Sequence, residues 1–200
     1  MKIIHLNTDP DSWGCVIDQV PQAILDELMD GFDRTNMPRQ IVIQNDGYDI
    51  LNRASQKFLD YLDLVTNHLT LAINNTTASY RLDSLWVNYL YKNEFQFLHA
   101  HVGQYSFVIW YDIPFDIEDE KNASKQPQQS MDGTFYFAWP KEHGPPGGPM
   151  KNLIAHKPLH VDKTWNGTIC VFPASMYHGV NPFKTSDDPR ITIAGNLFSC

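Results

Sequence analysis

Two histidines stand two positions apart, His99 and His101, inside the apolar and aromatic run from Phe95 to Val102. On an extended strand, side chains at i and i+2 leave the same face, so the two rings would point together with Ala100 turned away. Two neutral imidazoles on one face are a pair of metal ligands that lacks a third. Imidazole suits iron, zinc, copper and nickel alike, so the spacing does not choose the metal. Taken alone, such a pair is more often structural or solvated. The sequence downstream changes that weighting.

There the chain reads Phe172-Pro173, then His178-Gly179-Val180-Asn181-Pro182, then Arg190-Ile191-Thr192, with Arg190 twelve positions after His178. On a strand, Arg190 and Thr192 would share a face. The order is His-x-His, a long insert, His, and Arg-x-Thr. His99, His101 and His178 are the candidate metal ligands and the candidate catalytic centre. A competing His-x-Asp pair, His160-Val161-Asp162, precedes His178 by eighteen residues. It ranks second because it brings no arginine of its own. His5, His68, His143 and His156 are read as surface residues.

These side chains need elements to hold them. Met1 to Asn7 reads as a short strand and Asn7 to Gly14 as turn-rich. Pro21 can open a helix carrying Val20, Ile24, Leu25, Leu28, Met29 and Phe32 at helical spacing. Gln40 to Gln44 reads as another strand, closed by the turn Asn45-Asp46-Gly47. The strongest helix runs from about Ser55 to Ile73, with Phe58, Leu62, Val65, Leu69 and Ala72 on one stripe. From Tyr80 onward the segments 82–91, 96–101, 105–113, 133–139, 169–172, 178–181 and 190–198 are rich in β-branched and aromatic residues. Helices first and many short strands afterwards suggest an α+β fold, with helices covering one face of a double-sheet jelly roll. Two loops interrupt the strands: Phe115 to Asp132, charged and polar, and Lys141 to Lys151, which contains Gly144-Pro145-Pro146-Gly147-Gly148-Pro149. Neither sustains regular structure for long, and one of them could close as a lid. The expectation is a single domain over 1–200, with helical support over about 15–75 and the jelly-roll core over about 80–199.

Composition narrows the function classes. At 200 residues the chain can bury one sizeable core. Its formal net charge of -8 argues against gripping duplex nucleic acid or an anionic membrane through a broad positive face. Three scattered cysteines, Cys15, Cys170 and Cys200, form no paired motif, which fits a reducing, cytoplasmic setting. No stretch reaches the ~18 apolar residues of a membrane span, and the N-terminus has no signal-peptide core.

The four pieces Trp86-Val87-Asn88, His99 to His101, Phe172 to Pro182 and Arg190 to Asn196, in that order, resemble the iron(II)- and 2-oxoglutarate-dependent dioxygenases of the prolyl-hydroxylase-like superfamily. More narrowly, they are similar to the 2-oxoglutarate–iron oxygenases found in phages and marine bacteria. That resemblance implies a double-stranded β-helix core, with Fe(II), 2-oxoglutarate and O2 as cofactors. His99 and His178 would be iron ligands. Arg190 would take the distal carboxylate of 2-oxoglutarate through its planar fork, with Thr192 donating to the same group. Asn88 and Tyr105 would line the cosubstrate pocket beside Trp86, although Trp86 and Tyr105 also suit a plain strand core.

Position 101 departs from the superfamily, where Asp or Glu is usual. His101 can supply a third imidazole, which is the preferred reading. Alternatively Gly103 occupies the acid position, as in halide-binding relatives, or two histidines serve alone. The implied activity is hydroxylation of an unknown substrate: a protein side chain, a nucleobase or a small molecule. Two rivals stay open: a three-His cupin-type dioxygenase without cosubstrate, and a metal-free jelly-roll binding or structural module. A phage-encoded chain would act in the host cytoplasm.

Overall fold

The computed structural model describes residues 1–5, 14–32, 48–140 and 154–200. In chain order these hold β1 (Lys2–His5), β2 (Gly14–Gln19), α1 (Gln22–Met29), β3 (Tyr48–Asp49), α2 (Gln56–Asn74), β4 (Tyr80–Leu90) and β5 (Gln96–His99). Then come β6 (Tyr105–Asp112), α3 (Ile117–Ala123), β7 (Phe135–Pro140), β8 (Ile154–Leu159), β9 (Thr168–Pro173), β10 (Tyr177–Val180) and β11 (Arg190–Ser199).

The main helix forms where its stripe and caps predict. Ser55 accepts from Phe58 N–H at 3.3 Å as the N-cap, and Asn75, at φ 55°, ends α2 in the left-handed region. Phe58, Leu62, Val65 and Leu69 are buried. Each contributes about 2 kcal/mol of burial. Ala72 and Ile73 stay exposed, and Thr66 and Thr70 are buried in the sheet-facing side instead. Pro21 sits at the start of α1, its carbonyl accepting from Ile24 and Leu25.

The strands form two antiparallel sheets. One has seven strands in the order β1-β2-β9-β6-β11-β4-β3, and the other four in the order β5-β10-β7-β8. From β4 on, the chain passes between the sheets: β4, β6, β9 and β11 lie in the larger, and β5, β7, β8 and β10 in the smaller. This is a double-stranded β-helix. One core lies between the helices and the larger sheet, around Phe58, Leu62, Val87, Phe107, Ile109 and Ile193. The other lies around Val108, Trp110, Phe135, Phe137, Cys170 and Phe172, between the sheets. β6 is sandwiched by both, so every residue from Tyr105 to Trp110 is buried and all but Ser106 are apolar or aromatic.

Some expectations need adjustment. β5 ends at His99 rather than His101. β2 was not anticipated: it lies between β1 and β9, with Gly14, Cys15 and Val16 buried in succession and Gln19 exposed, so it shows no alternation. β8 was also missed, because Pro158 interrupts its pattern; Pro is tolerated there because β8 is an edge strand. The segment after Phe115 is not an open lid. It carries α3, and Phe115, Ile117 and Glu120 are buried. The expected strand at 40–44, its turn at 45–47, the loop at 141–151, and the side chains of His5 and His143 lie outside the described part.

Candidate active site

β5 and β10 pair with His99 directly opposite His178. His101 stands two residues beyond the end of β5, fixed by its N–H donating to the Ala174 carbonyl at 2.9 Å in the turn before β10. The three rings meet: centroids are 4.3 Å apart for His99 and His178, 5.0 Å for His99 and His101, and 5.2 Å for His101 and His178. One nitrogen from each lies within 4.8 Å of the others. Among the described residues this is the one cluster of three or more possible metal-binding side chains.

Backbone carbonyls orient two of the rings. His99 Nδ1 lies 2.7 Å from the Phe97 carbonyl, and His178 Nδ1 lies 3.0 Å from the Met176 carbonyl. A carbonyl only accepts, so each Nδ1 carries the proton and each Nε2 keeps its lone pair free. This is how metal-binding imidazoles are usually held. Phe135 stacks on His178 at 5.6 Å and Phe172 meets it edge-on at 4.8 Å. Burial pulls His178 down to about 3, with the His99 charge adding to it and the Met176 carbonyl opposing. Burial, then His99, takes His101 down to about 4. Both rings are therefore neutral at neutral pH, the state a metal requires.

The larger sheet supplies the other wall. Ile191, Ile193 and Leu197 of β11 join the helix-side core, so Arg190, Thr192 and Ala194 take the face toward the smaller sheet. Thr192 pairs with Asn88 on β4, and Arg190 pairs with Leu90. Trp86, on the same face of β4, brings its ring to 5.7 Å from that of His101. Arg190 is 2% exposed. Its Nη1 donates to the Gly133 carbonyl and its Nη2 to the Asn181 carbonyl, both at 3.0 Å. Its Nε is buried with no hydrogen-bond partner among the described residues. Burial lowers the guanidinium to about 9, against the pull of Glu120, so it stays charged at neutral pH.

A family described as "Putative 2OG-Fe(II) oxygenase" matches residues 84–196, more than half of the chain. The chain belongs to this 2OG-Fe(II) oxygenase family. It is an oxidoreductase that works with Fe(II), 2-oxoglutarate and O2. Solved structures share its fold. An oxidoreductase of the 2OG-Fe(II) oxygenase family from Burkholderia pseudomallei is 16% identical, with a TM-score of 0.51 over 92% of this chain and 84% of that one. HygX from Streptomyces hygroscopicus, solved with nickel and 2-oxoglutarate bound, is 12% identical, with a TM-score of 0.50 over 93% and 82%. SnoN, a non-heme alpha ketoglutarate dependent epimerase from nogalamycin biosynthesis, is 12% identical, with a TM-score of 0.53 over 93% and 78%. A comparison with curated proteins finds no match.

Not every expected residue of this oxygenase joins the site. Tyr105 faces away from it. The Tyr105 hydroxyl accepts from Thr70 on α2 at 3.1 Å and its ring packs on Tyr80 at 5.3 Å, because odd-numbered residues of β6 point to the helices. His160 is exposed, and Asp162 instead caps the turn at 163–165 by accepting from Thr164. Gly103 takes φ 121°, and a Cβ there would lie 2.9 Å from the Leu197 carbonyl. Asn196 receives a strand-tying role, accepting from Ser106 at 2.7 Å and donating to Ser84 at 3.1 Å across β6, β11 and β4. The surroundings of Arg190, namely Phe115, Gly133, Asn181 and Phe183, went unanticipated. They come from three separated stretches, and no spacing rule links them.

Proposed function

We propose that His99, His101 and His178 hold the iron and that Arg190, with Thr192 and Asn88 beside it, receives the distal carboxylate of 2-oxoglutarate. The carrying observation is the convergence of three imidazoles with free Nε2 lone pairs. A second observation supports the cosubstrate assignment: Arg190 is a buried cation with a donor left unpaired. Three neutral nitrogen donors on one side suit a divalent iron with positions left open. When bound, the iron and cosubstrate supply O2 activation coupled to oxidation of 2-oxoglutarate to succinate and CO2. The protein contributes positioning. The Phe97 and Met176 carbonyls fix two ligand rings, Phe135 and Phe172 exclude water from one side, and the Arg190 fork orients the carboxylate.

The product of this chemistry is a hydroxylated C–H of the substrate. The chain around the two histidines is apolar: Phe97 is 77% and Val102 78% exposed, and no Lys or Arg stands between Phe95 and Gln104. That rim favours an apolar peptide segment over a nucleic-acid backbone. No helix among the described residues is long and apolar enough to cross a membrane. The free thiols of Cys15, Cys170 and Cys200 support a reducing, cytoplasmic setting, which for a phage-borne chain is the host's.

The test is an anaerobic Fe(II) titration of metal-stripped protein with and without 2-oxoglutarate, following the weak visible charge-transfer band of a chelated 2-oxo acid. The band is expected only with both present. Iron binding without the band would favour a three-His dioxygenase that needs no cosubstrate. Absence of iron binding by folded protein would refute the site. Apolar-flanked peptides are then expected to stimulate succinate formation more than oligonucleotides do; stimulation by oligonucleotides alone would overturn the substrate reading.

A further inference from the structure

We propose that Glu120, on α3, is a positioning residue for the Arg190 guanidinium and so sets the affinity for 2-oxoglutarate. The inference rests on the assignment of Arg190 to the cosubstrate carboxylate. Glu120 lies in the charged stretch Glu118-Asp119-Glu120-Lys121, yet it alone of these four is fully buried. A buried carboxylate is tolerated only when its oxygens are well supplied with donors. Oε2 accepts from Lys184 N–H at 2.8 Å; Oε1 accepts from Thr185 N–H at 2.8 Å and from the Thr185 hydroxyl.

Those donors belong to the segment joining β10 to β11, the segment that cradles Arg190. Asn181 offers it a carbonyl, and Phe183 holds its ring 5.6 Å from the guanidinium carbon. The second carbonyl comes from Gly133, whose N–H donates to Pro182 at 2.8 Å in the same segment. Gly133 also packs against α3: a Cβ there would come within 2.7 Å of the Phe115 ring and 3.4 Å of Glu120 Cγ. Phe115 stacks on Phe183 at 4.9 Å, closing the cradle. Glu120 therefore pins one wall by three hydrogen bonds and abuts the other. Its negative charge also opposes the burial cost of the Arg190 cation. The histidines stand on β5, on β10 and in the turn after β5, so metal affinity and cosubstrate affinity separate.

The experiment compares wild type, E120Q, T185V and R190Q for Fe(II) affinity, 2-oxoglutarate KM and kcat in succinate formation, and melting temperature. A Gln amide turns donors toward donors, and T185V removes one of the three bonds without touching the charge. E120Q is expected to raise the 2-oxoglutarate KM by about ten- to a hundredfold, with kcat and iron affinity near wild type. T185V is expected to raise KM severalfold and stays informative if E120Q does not fold. A lower melting temperature with unchanged KM in the folded variants would reduce Glu120 to a structural role and overturn the proposal. A parallel loss of iron affinity would overturn it as well. If R190Q itself binds 2-oxoglutarate like wild type, the assignment of Arg190 has failed. If R190Q loses binding while E120Q keeps it, only the positioning role has failed.

Discussion

Replacing Arg190 by lysine tests both the partner and its burial. The guanidinium sits at 2% exposure beside the stacked rings of Phe115 and Phe183, with two N–H groups on the Gly133 and Asn181 carbonyls. Burial lowers it to about 9, which leaves it charged throughout the working range. The same burial penalty falls on an ammonium, whose ordinary value of about 10.4 is already lower, and pushes it further down than the guanidinium. The sign follows from the charge. The ammonium of R190K is cationic below its lowered value and neutral above it, so its attraction for a carboxylate is present at low pH and lost as pH rises. Loss of the bidentate fork costs about 1.4 kcal/mol, or about tenfold in 2-oxoglutarate affinity, at about pH 6. As pH rises through that lowered value the affinity should fall by up to about tenfold more per pH unit, whereas wild type stays level. The assay is anaerobic titration of the iron-loaded proteins with 2-oxoglutarate from about pH 6 to about pH 8.5, read by the charge-transfer band. Wild-type affinity in R190K at every pH would refute Arg190 as the carboxylate partner. A weakened but pH-independent affinity would refute the burial argument. A pH slope shared by wild type would place the titrating group elsewhere.

Three other outcomes follow from the geometry. His101→Ala should lower Fe(II) affinity as much as His99→Ala, each by at least about a hundredfold in a chelator competition; near-wild-type binding by H101A would establish a two-histidine site. Tyr105→Phe should leave 2-oxoglutarate affinity within about twofold and cost about 1 kcal/mol in urea unfolding, because its hydroxyl bonds Thr70 and not the site. Gly195→Ala should destabilise by about 2–3 kcal/mol in the same unfolding assay, since the new Cβ would meet the Ser84 carbonyl at 2.5 Å and the buried Phe107 ring at 2.6 Å; an unchanged midpoint would show that β4 and β11 can separate freely there.

Local pattern made α2 legible, because a stripe at helical spacing is a short-range signal. The central strands were legible too: Tyr105 to Trp110 is buried on both faces and so apolar or aromatic except at Ser106, whose hydroxyl bonds Asn196. The His-x-His pair could be seen from its spacing, though the strand that carries it stops at His99, and His101 is held in place by a backbone bond to Ala174. Alternation said that Tyr105 shares a face with Phe107 and Ile109, but not which face looks toward the helices. That depends on what packs against the sheet, and it took Tyr105 out of the site. The charged stretch around Glu120 reads as a loop, and its burial is not legible there because Glu120 finds its donors on Lys184 and Thr185, more than sixty residues away.

The sequence by itself therefore determined the donor types, a jelly roll supported by helices, and, through ordered motifs, the kind of chemistry. Tertiary structure alone decided that His178 lands opposite His99, that the His160–Asp162 pair stays out of the centre, and that Arg190 is caged by Gly133, Asn181, Phe115 and Phe183. The physical reason is that side-chain type and periodicity are properties of neighbours in the chain. Register between distant strands, and the burial of a charge by residues from other elements, exist only once the sheets have closed on each other.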